Sequence, residues 1–522
     1  MATMRRDPIS RAVSVALLSC LAASHAVQAQ EQAQAQSQPH SVTPTLGVRL
    51  EHTDNVDGVS NASATGKRSE EILTVAPALE IRHQGPNTVL EGRFGLLAEH
   101  RLQGTSTDRV VPDGRLRLRT EPGGHGAGLE AALQAQQVKP AVSSSGGTST
   151  ATANTVTETQ ASVSPFFERK LSDQHELVAR AQGLQARTDP RLDTSRETRS
   201  SNVNAQLGLI RRPTPFGYAL EASSLRERQK AETPDASGGG LALKEDGRTE
   251  QSTLRATLLY AFAQEFEAGL ILGDERDHRR LSTQSAGTSS EVQRDFDGGF
   301  YGLQATWRPG PRTDIKGSIE DRKAARTWAF DASHRLRRTI FSLTDRQVAT
   351  RNAPSSITTR TTPPLTLTPG APEPSAPGTT LPFSDQSTAL LSIQRTTGLR
   401  VTYEGVRAVL SLVAGQFRAR SLIATGSATD ADRSRYHGAE LSYRLTSQVT
   451  PNMGLRWSHA TDAAGLSRKE QLLTMGLRVR LSPVSNLDGG AAVLSSRANT
   501  TATAASERTH VNSVYVRLEH RF

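Results

Sequence analysis

A single cysteine, Cys20, occurs in 522 residues. It falls in a leader that export is expected to remove, so the mature chain offers no disulfide, no thiolate metal site and no cysteine nucleophile. Nothing in the sequence approaches the roughly 20 consecutive apolar residues of a transmembrane helix. Hydrophobic residues make up only 35% and mean hydropathy is −0.46, which is low for one large soluble core. Catalytic signatures are missing too: there is no Gly-x-Ser-x-Gly elbow, no His-Glu-x-x-His pair and no glycine-rich phosphate loop. The 13 histidines are scattered without ligand spacing. In "HTDNVDG" (52–58), Asp54 and Asp57 loosely suggest a calcium loop, but the later ligands and the closing glutamate are absent. A polar loop start is the simpler reading. No catalytic residue, metal site or cofactor is expected, and the chain is not expected to be an enzyme.

The leader itself is present. Arg5, Arg6 and Arg11 form a basic start, an apolar stretch runs from Ala12 to about Ala23, and Val27 and Ala29 are spaced for cleavage before Gln30. Residues 1–29 read as a secretory signal peptide. "LLSC", ending at Cys20, is a partial lipoprotein box and the alternative cleavage point. Residues 30–42 form a short periplasmic segment and 43–522 a single domain. Net charge is +10; such a surplus suits acidic polymers or lipopolysaccharide phosphates, or merely a solvated surface.

Alternation is abundant. In "VNSVYVRLEHRF" (511–522), Val514, Val516, Leu518, His520 and Phe522 take one face, and Ser513, Tyr515, Arg517, Glu519 and Arg521 the other. Side chains of a strand point to opposite sides with period two, so this is a strand with an apolar and a polar face. The pattern recurs in "LLTMGLRVRL", "GAELSYRL" and "NMGLRWSH", and in hairpins turning at Gly85–Asn87, Pro122–Gly124, Pro213–Pro215, Pro309–Pro311 and Pro483–Asn486. Long polar stretches such as "VKPAVSSSGGTSTATANT", "QKAETPDASGGGLALKEDGR" and "DERDHRRLSTQSAGTSSEV" separate the hairpins. Short turns alternating with long polar loops mark an outer-membrane barrel. The expected fold is all-β: a transmembrane antiparallel up-and-down β-barrel of about 22 strands, within 18–24, each roughly 9–13 residues long. Its place is the outer membrane of a Gram-negative bacterium. A secreted soluble β-protein is the remaining alternative.

Two segments resemble a known family. "GLQATWRPGPRTDIKGSIEDRKAARTWAFDASHRLRRTIFSLTDRQV" (302–348) carries Trp307, Arg308, Pro309, Pro311, Arg312 and Thr313, then Arg337, Arg338 and Thr339. "VRLEHTDNV" (48–56) carries the triplet Thr53, Asp54 and Asn55. Both are similar to segments of the exosortase, or PEP-CTERM, system-associated outer-membrane barrels. "EDRKAART" stands where that family has aromatic–glycine pairs. The resemblance implies a non-enzymatic barrel serving exopolysaccharide biosynthesis or export, with polysaccharide export components among its partners. A general or anion-biased porin is the alternative, and a barrel enzyme acting on lipid or polysaccharide the third. Val514, Val516, Leu518 and Phe522 resemble the C-terminal signal that such barrels present to the barrel assembly machinery, with the last strand closing the barrel. Outer-membrane lipid and lipopolysaccharide are further expected partners; nucleic acid is not.

If the apolar residues face lipid, then Arg115, Arg117, Arg119, Arg255, Arg400, Arg407, Arg444, Arg456, Arg478, Arg480, Arg517 and Arg521 face the lumen. Glu80, Glu91, Glu221, Glu440 and Glu519 join them. Arginine rings bias a pore toward anions; alternatively, Arg and Glu pair across strands and stiffen the wall. A barrel of this width needs narrowing. With only 30–42 ahead of the first strand, the proline-rich segment 349–386 is expected to fold over or into the lumen, or to lie outside it.

Overall fold

The computed structural model describes residues 40–55, 69–103, 108–123, 126–138, 156–189, 197–234, 241–285, 288–351, 391–421, 432–461, 467–499 and 507–522. The first strands are β1 (His40–Thr53), β2 (Glu70–Gln84), β3 (Thr88–Arg101), β4 (Arg109–Thr120), β5 (Ala127–Val138), β6 (Val156–Lys170), β7 (His175–Asp189) and β8 (Glu197–Arg211). Then come β9 (Phe216–Pro234), β10 (Leu241–Ala261), β11 (Phe266–Ser285), β12 (Thr288–Asp295), β13 (Gly298–Gly310), β14 (Thr313–Asp321), β15 (Arg326–Arg335) and β16 (Thr339–Arg351). The last are β17 (Leu391–Glu404), β18 (Ala408–Ser421), β19 (Asp432–Tyr443), β20 (Val449–Thr461), β21 (Ser467–Ser482), β22 (Ser485–Asn499) and β23 (Glu507–Arg521). The signal peptide and most of 30–42 lie outside the described residues. β1 takes up the last residues of that segment, starting at His40 rather than 43.

Neighbours in sequence pair antiparallel, and β23 returns to β1 from Thr45↔Arg521 to Thr53↔Ser513. The sheet is a closed barrel. β11 pairs with β12 through His278–Ser285 and with β13 through Phe266–Glu275. β12 and β13 therefore lie end to end as one broken stave, and 23 strands fill 22 positions. Below β12, which pairs with β11 alone, closure leaves no strand edge unpaired, and that is what allows strands to cross a bilayer. The short connections, such as 85–87, 336–338 and 405–407, gather at the rim where β1 begins, the periplasmic rim of such a barrel.

Outside, apolar residues alternate along each strand and stay exposed: Leu254, Leu258, Leu303, Val514, Val516 and Leu518 are examples. On a soluble protein so continuous an apolar belt would drive association; here it meets lipid. The strands β9, β10 and β11 are 19, 21 and 20 residues long, well beyond the expected length. The polar stretches read as loops at 229–248 and 274–292 are largely strand. Above the membrane both faces of a ladder meet water, so it needs no apolar alternation and gives no periodic signal. Conversely, "EDRKAART" crosses a four-residue turn, 322–325, between the two short strands β14 and β15. One extracellular connection is thus as tight as a periplasmic one. Of the proline-rich segment, 349–351 belong to β16; the remainder lies outside the described residues.

Inside, the wall is keyed by rings set on glycines. Phe166 lies over Gly128, Phe300 over Gly273, Tyr436 over Gly415 and Tyr515 over Gly490, each pair directly opposite in register. A Cβ at any of these glycines would run into the ring. The absent side chain lets the aromatic lie flat across the neighbouring strand, which pins register. Three of these rings carry a guanidinium on their other side: Arg119 over Phe166 at 4.6 Å, Arg322 over Phe300 at 4.3 Å and Arg49 over Tyr515 at 4.5 Å.

Replacing Gly273 or Gly490 by valine is expected to destabilise the barrel by about 1–3 kcal/mol through overpacking. Gly183→Ala, where no atom lies within 4 Å, is expected to be neutral. The temperature at which the folded, fast-migrating gel band converts to the unfolded one reads both.

Candidate functional site

The lumen is identified by side chains that meet across strands that do not touch. Arg93 on β3 reaches Glu519 on β23 at 3.5 Å, with β1 and β2 between them. Arg255 on β10 reaches Glu320 on β14 at 2.9 Å, with β11 and β13 between. Backbones three strands apart are separated by roughly 14 Å. Such pairs close only on the concave face of a curved sheet.

That face holds most of the arginines singled out from sequence. Arg119 pairs with Glu130 at 2.9 Å, Arg478 with Asp488 at 2.7 Å and Arg517 with Glu519 at 2.7 Å. Arg255 contacts Glu221 as well as Glu320, and Arg521 approaches Glu80 at 3.5 Å. Arg115, Arg117, Arg400, Arg456 and Arg480 also lie at inward positions. Arg407 and Arg444 do not belong to the wall. Arg407 is in the turn 405–407 and Arg444 follows the end of β19, where its N–H donates to the Arg407 carbonyl at 2.6 Å. Both sit on the periplasmic rim, because the strands end one or two residues before the alternation in sequence does.

Pairing therefore accounts for much of the inward charge, but not all. Arg117, Arg400, Arg456 and Arg480 form no ion pair among the described residues. A second set of charges lies outside the lipid-facing alternation, in part within the stretch 274–280 that reads in sequence as a solvated loop. Glu70 and Arg101 pair at 2.7 Å with side chains 0% and 5% exposed. Asp277 and Arg279 form a two-pronged pair at 2.7 and 2.6 Å, also buried. Glu99 pairs with Arg109. Arg322, from the short turn 322–325, bridges Glu320 at 2.6 Å and Glu275 at 2.8 Å. Charged pairs removed from water in this way hold their partners in fixed geometry. At the periplasmic mouth a recess of about 320 Å³ opens among Pro213, Gln264, Glu265, Glu267 and Arg308.

The triplet Thr53–Asp54–Asn55 is a seam clasp. The Asn512 N–H and side-chain amide donate to the two Asp54 oxygens, both at 2.7 Å. The Asp54 N–H donates to the Asn512 carbonyl at 3.1 Å, and the Asn55 amide to the His510 carbonyl at 3.3 Å. Both Asp54 oxygens are thus engaged where a calcium ligand was considered; Asp57 lies outside the described residues. Among the described residues no three His, Cys, Asp or Glu side chains gather as a metal site. The other family-like motif also falls on connections: Trp307–Thr313 and Arg337–Thr339 flank two adjacent periplasmic turns, tied where the Arg335 N–H donates to the Arg312 carbonyl at 2.8 Å.

No family model matches the chain, and no curated protein matches it. Solved structures do. The ferric yersiniabactin uptake receptor of Yersinia pestis is 10% identical, with 93% of this chain and 81% of that one covered at a TM-score of 0.52. A siderophore receptor of Acinetobacter baumannii is 10% identical, covering 91% and 82% at 0.52. The ferric citrate transporter in its unliganded form is 11% identical, covering 93% and 79% at 0.52. This chain therefore has the fold of a large outer-membrane barrel, and its place is the outer membrane of a Gram-negative bacterium. The expectation of an exopolysaccharide-export barrel or a porin is corrected here: the structures that share this wall are uptake receptors and transporters of iron chelates. The motifs behind the export expectation build a seam and two turns.

Asn512→Ala is expected to cost about 2–3 kcal/mol, since it removes the amide from a carboxylate it bonds directly. Chelating divalent cations with EDTA should leave the wild-type unfolding temperature of the purified barrel unchanged; a fall on EDTA treatment would restore a metal at Asp54.

Proposed function

We propose that this barrel takes up an anionic metal chelate, of the ferric-siderophore or ferric-citrate class, across the outer membrane. The observation that carries the proposal is the residual positive charge of the lumen. Arg400, Arg456 and Arg480 point inward with no acid opposite them and no ion pair among the described residues, and Arg117 faces Glu91 without an ion pair, in a wall whose other arginines are largely neutralised. A guanidinium presents a planar fork of donors that matches carboxylate oxygens, so these positions suit a cargo bearing carboxylates. The similar barrels in solved structures are described as receptors or transporters for ferric yersiniabactin, ferric citrate and siderophores, which agrees with such a cargo. Resemblance to the exosortase-associated barrels then concerns construction: a shared seam triplet and shared periplasmic turns. The barrel assembly machinery is the partner proposed for Val514, Val516, Leu518 and Phe522.

Uptake of radioactive iron, supplied as ferric citrate or as ferric siderophores to iron-starved cells, tests the proposal. Deleting the protein should lower uptake of at least one chelate. Arg400→Gln with Arg456→Gln should lower it by roughly tenfold, the loss of one or two charge-assisted hydrogen bonds, with surface abundance unchanged. Undiminished uptake of every chelate in the deletion strain would overturn it.

A further inference from the structure

We propose that the outer face of β19–β23 carries a binding site for the phosphates of lipid A, the anionic lipid of the outer leaflet. The register places Arg435 opposite His459, His459 opposite Lys469, Lys469 opposite Arg497 and Arg497 opposite Arg508. These five residues form one rung that runs across five adjacent staves, roughly 19 Å at the spacing of neighbouring strands. All five are exposed, and the residues beside them along the chain, among them Ser434, Ser496 and Thr509, are buried on the inward face.

The rung is basic throughout. No acid occupies an outward position on these strands at or above this level among the described residues, and none of its cations enters an ion pair there. Glu470 points inward to Arg468 at 2.8 Å. One rung further up, Arg433 faces Arg418 on β18, another like-charged pair in direct register. Like charges directly opposite one another destabilise a ladder. A row of them is explained by a polyanion that neutralises it.

Position selects the polyanion. Two rungs below the row lie Leu455, Leu473 and Val493, part of the lipid-facing belt. The rung between holds Trp457, its ring stacked on His437 at 5.4 Å, an aromatic at the level of the lipid headgroups. The cations thus stand at the extracellular edge of the apolar belt, where the acyl chains of the outer leaflet end and its phosphates begin.

The rest of the barrel's outer face is a useful contrast. On the tall strands β9–β12, several outward cations are matched by acids on the same face. Arg228 forks onto Asp246 at 2.7 Å, Arg280 meets Glu291 at 2.7 Å and His278 meets Asp295 at 2.9 Å. The upper parts of those strands stand clear of the membrane, and there the Arg228 guanidinium holds the Asp246 carboxyl below the ordinary carboxylate range. The β19–β23 sector differs in presenting a complete rung of cations with no acid beside it.

The test uses the full-length barrel in detergent, with lipid A carrying both phosphates and lipid A from which they have been removed. Phosphorylated lipid A should raise the unfolding temperature of the wild type, and the dephosphorylated form should not. Neutralising Arg435, Lys469, Arg497 and Arg508 to glutamine should weaken binding by roughly fivefold per cation and abolish the difference between the two lipids. The control Arg228→Gln with Arg280→Gln should keep it. An equal response to both lipids, or to inorganic phosphate alone, overturns the proposal, as does undiminished binding by the fourfold variant. If that variant fails to fold, the comparison of the two lipids on the wild type decides alone.

Discussion

Inside a bilayer a backbone amide has no water to turn to, and the rest of this molecule follows from that constraint. A sheet in lipid can have no free edge, so the first strand must find the last. Here the two are joined by nine consecutive register pairs between β1 and β23. This contact closes the longest loop in the chain, and its entropy must be met before the barrel gains from closing. The clasp of Asp54 on Asn512 sits at the extracellular end of that seam, where the ladder stops and fraying would begin. A carboxylate accepting two short bonds at that point is stronger than the neutral backbone bonds it follows.

Closure also sorts the side chains. One face of every stave meets lipid and the other a concave, crowded interior, where opposite charges three staves apart come within hydrogen-bond reach. Curvature thus turns a period-two pattern into a network. The inward rings occupy the same surface. Each needs a glycine across the ladder so that it can lie flat, and three of them then offer a π-face to an arginine. Register, packing and electrostatics are set by the same few contacts.

The period of two was legible in the sequence wherever lipid demands it. The terminal alternation from Val514 to Leu518, the hairpins about Gly85–Asn87 and Pro483, and an even count of 22 staves all follow from apolar residues at every second position. Legibility fails where lipid no longer acts. The tall ends of β9–β12 have charged residues on both faces and read as loops, although their ladder is continuous. Arg407 and Arg444 extend the alternation past the point where the chain has already turned. The aromatic–glycine pairs, the clasp and the buried Glu70–Arg101 pair join residues whose meeting depends on which strand lies beside which. Function was the least legible property, because the motifs most specific in sequence proved to be structural joints.

A charge paired within the wall stiffens it and is spent there; a charge left over is available to something else. The two sides of this barrel differ in what is left over. Inward, most cations are answered by Glu or Asp, and the few remaining are spread among paired neighbours, an arrangement that can hold an anion weakly at several points and let it go. Outward, on β19–β23, the cations are adjacent, unanswered and fixed at one height by hydrogen-bonded register. A mobile cargo could not be released readily from such a row, whereas a lipid that never leaves its leaflet has no need to be. The spacing of unpaired charge thus separates the surface suited to transit from the surface suited to residence.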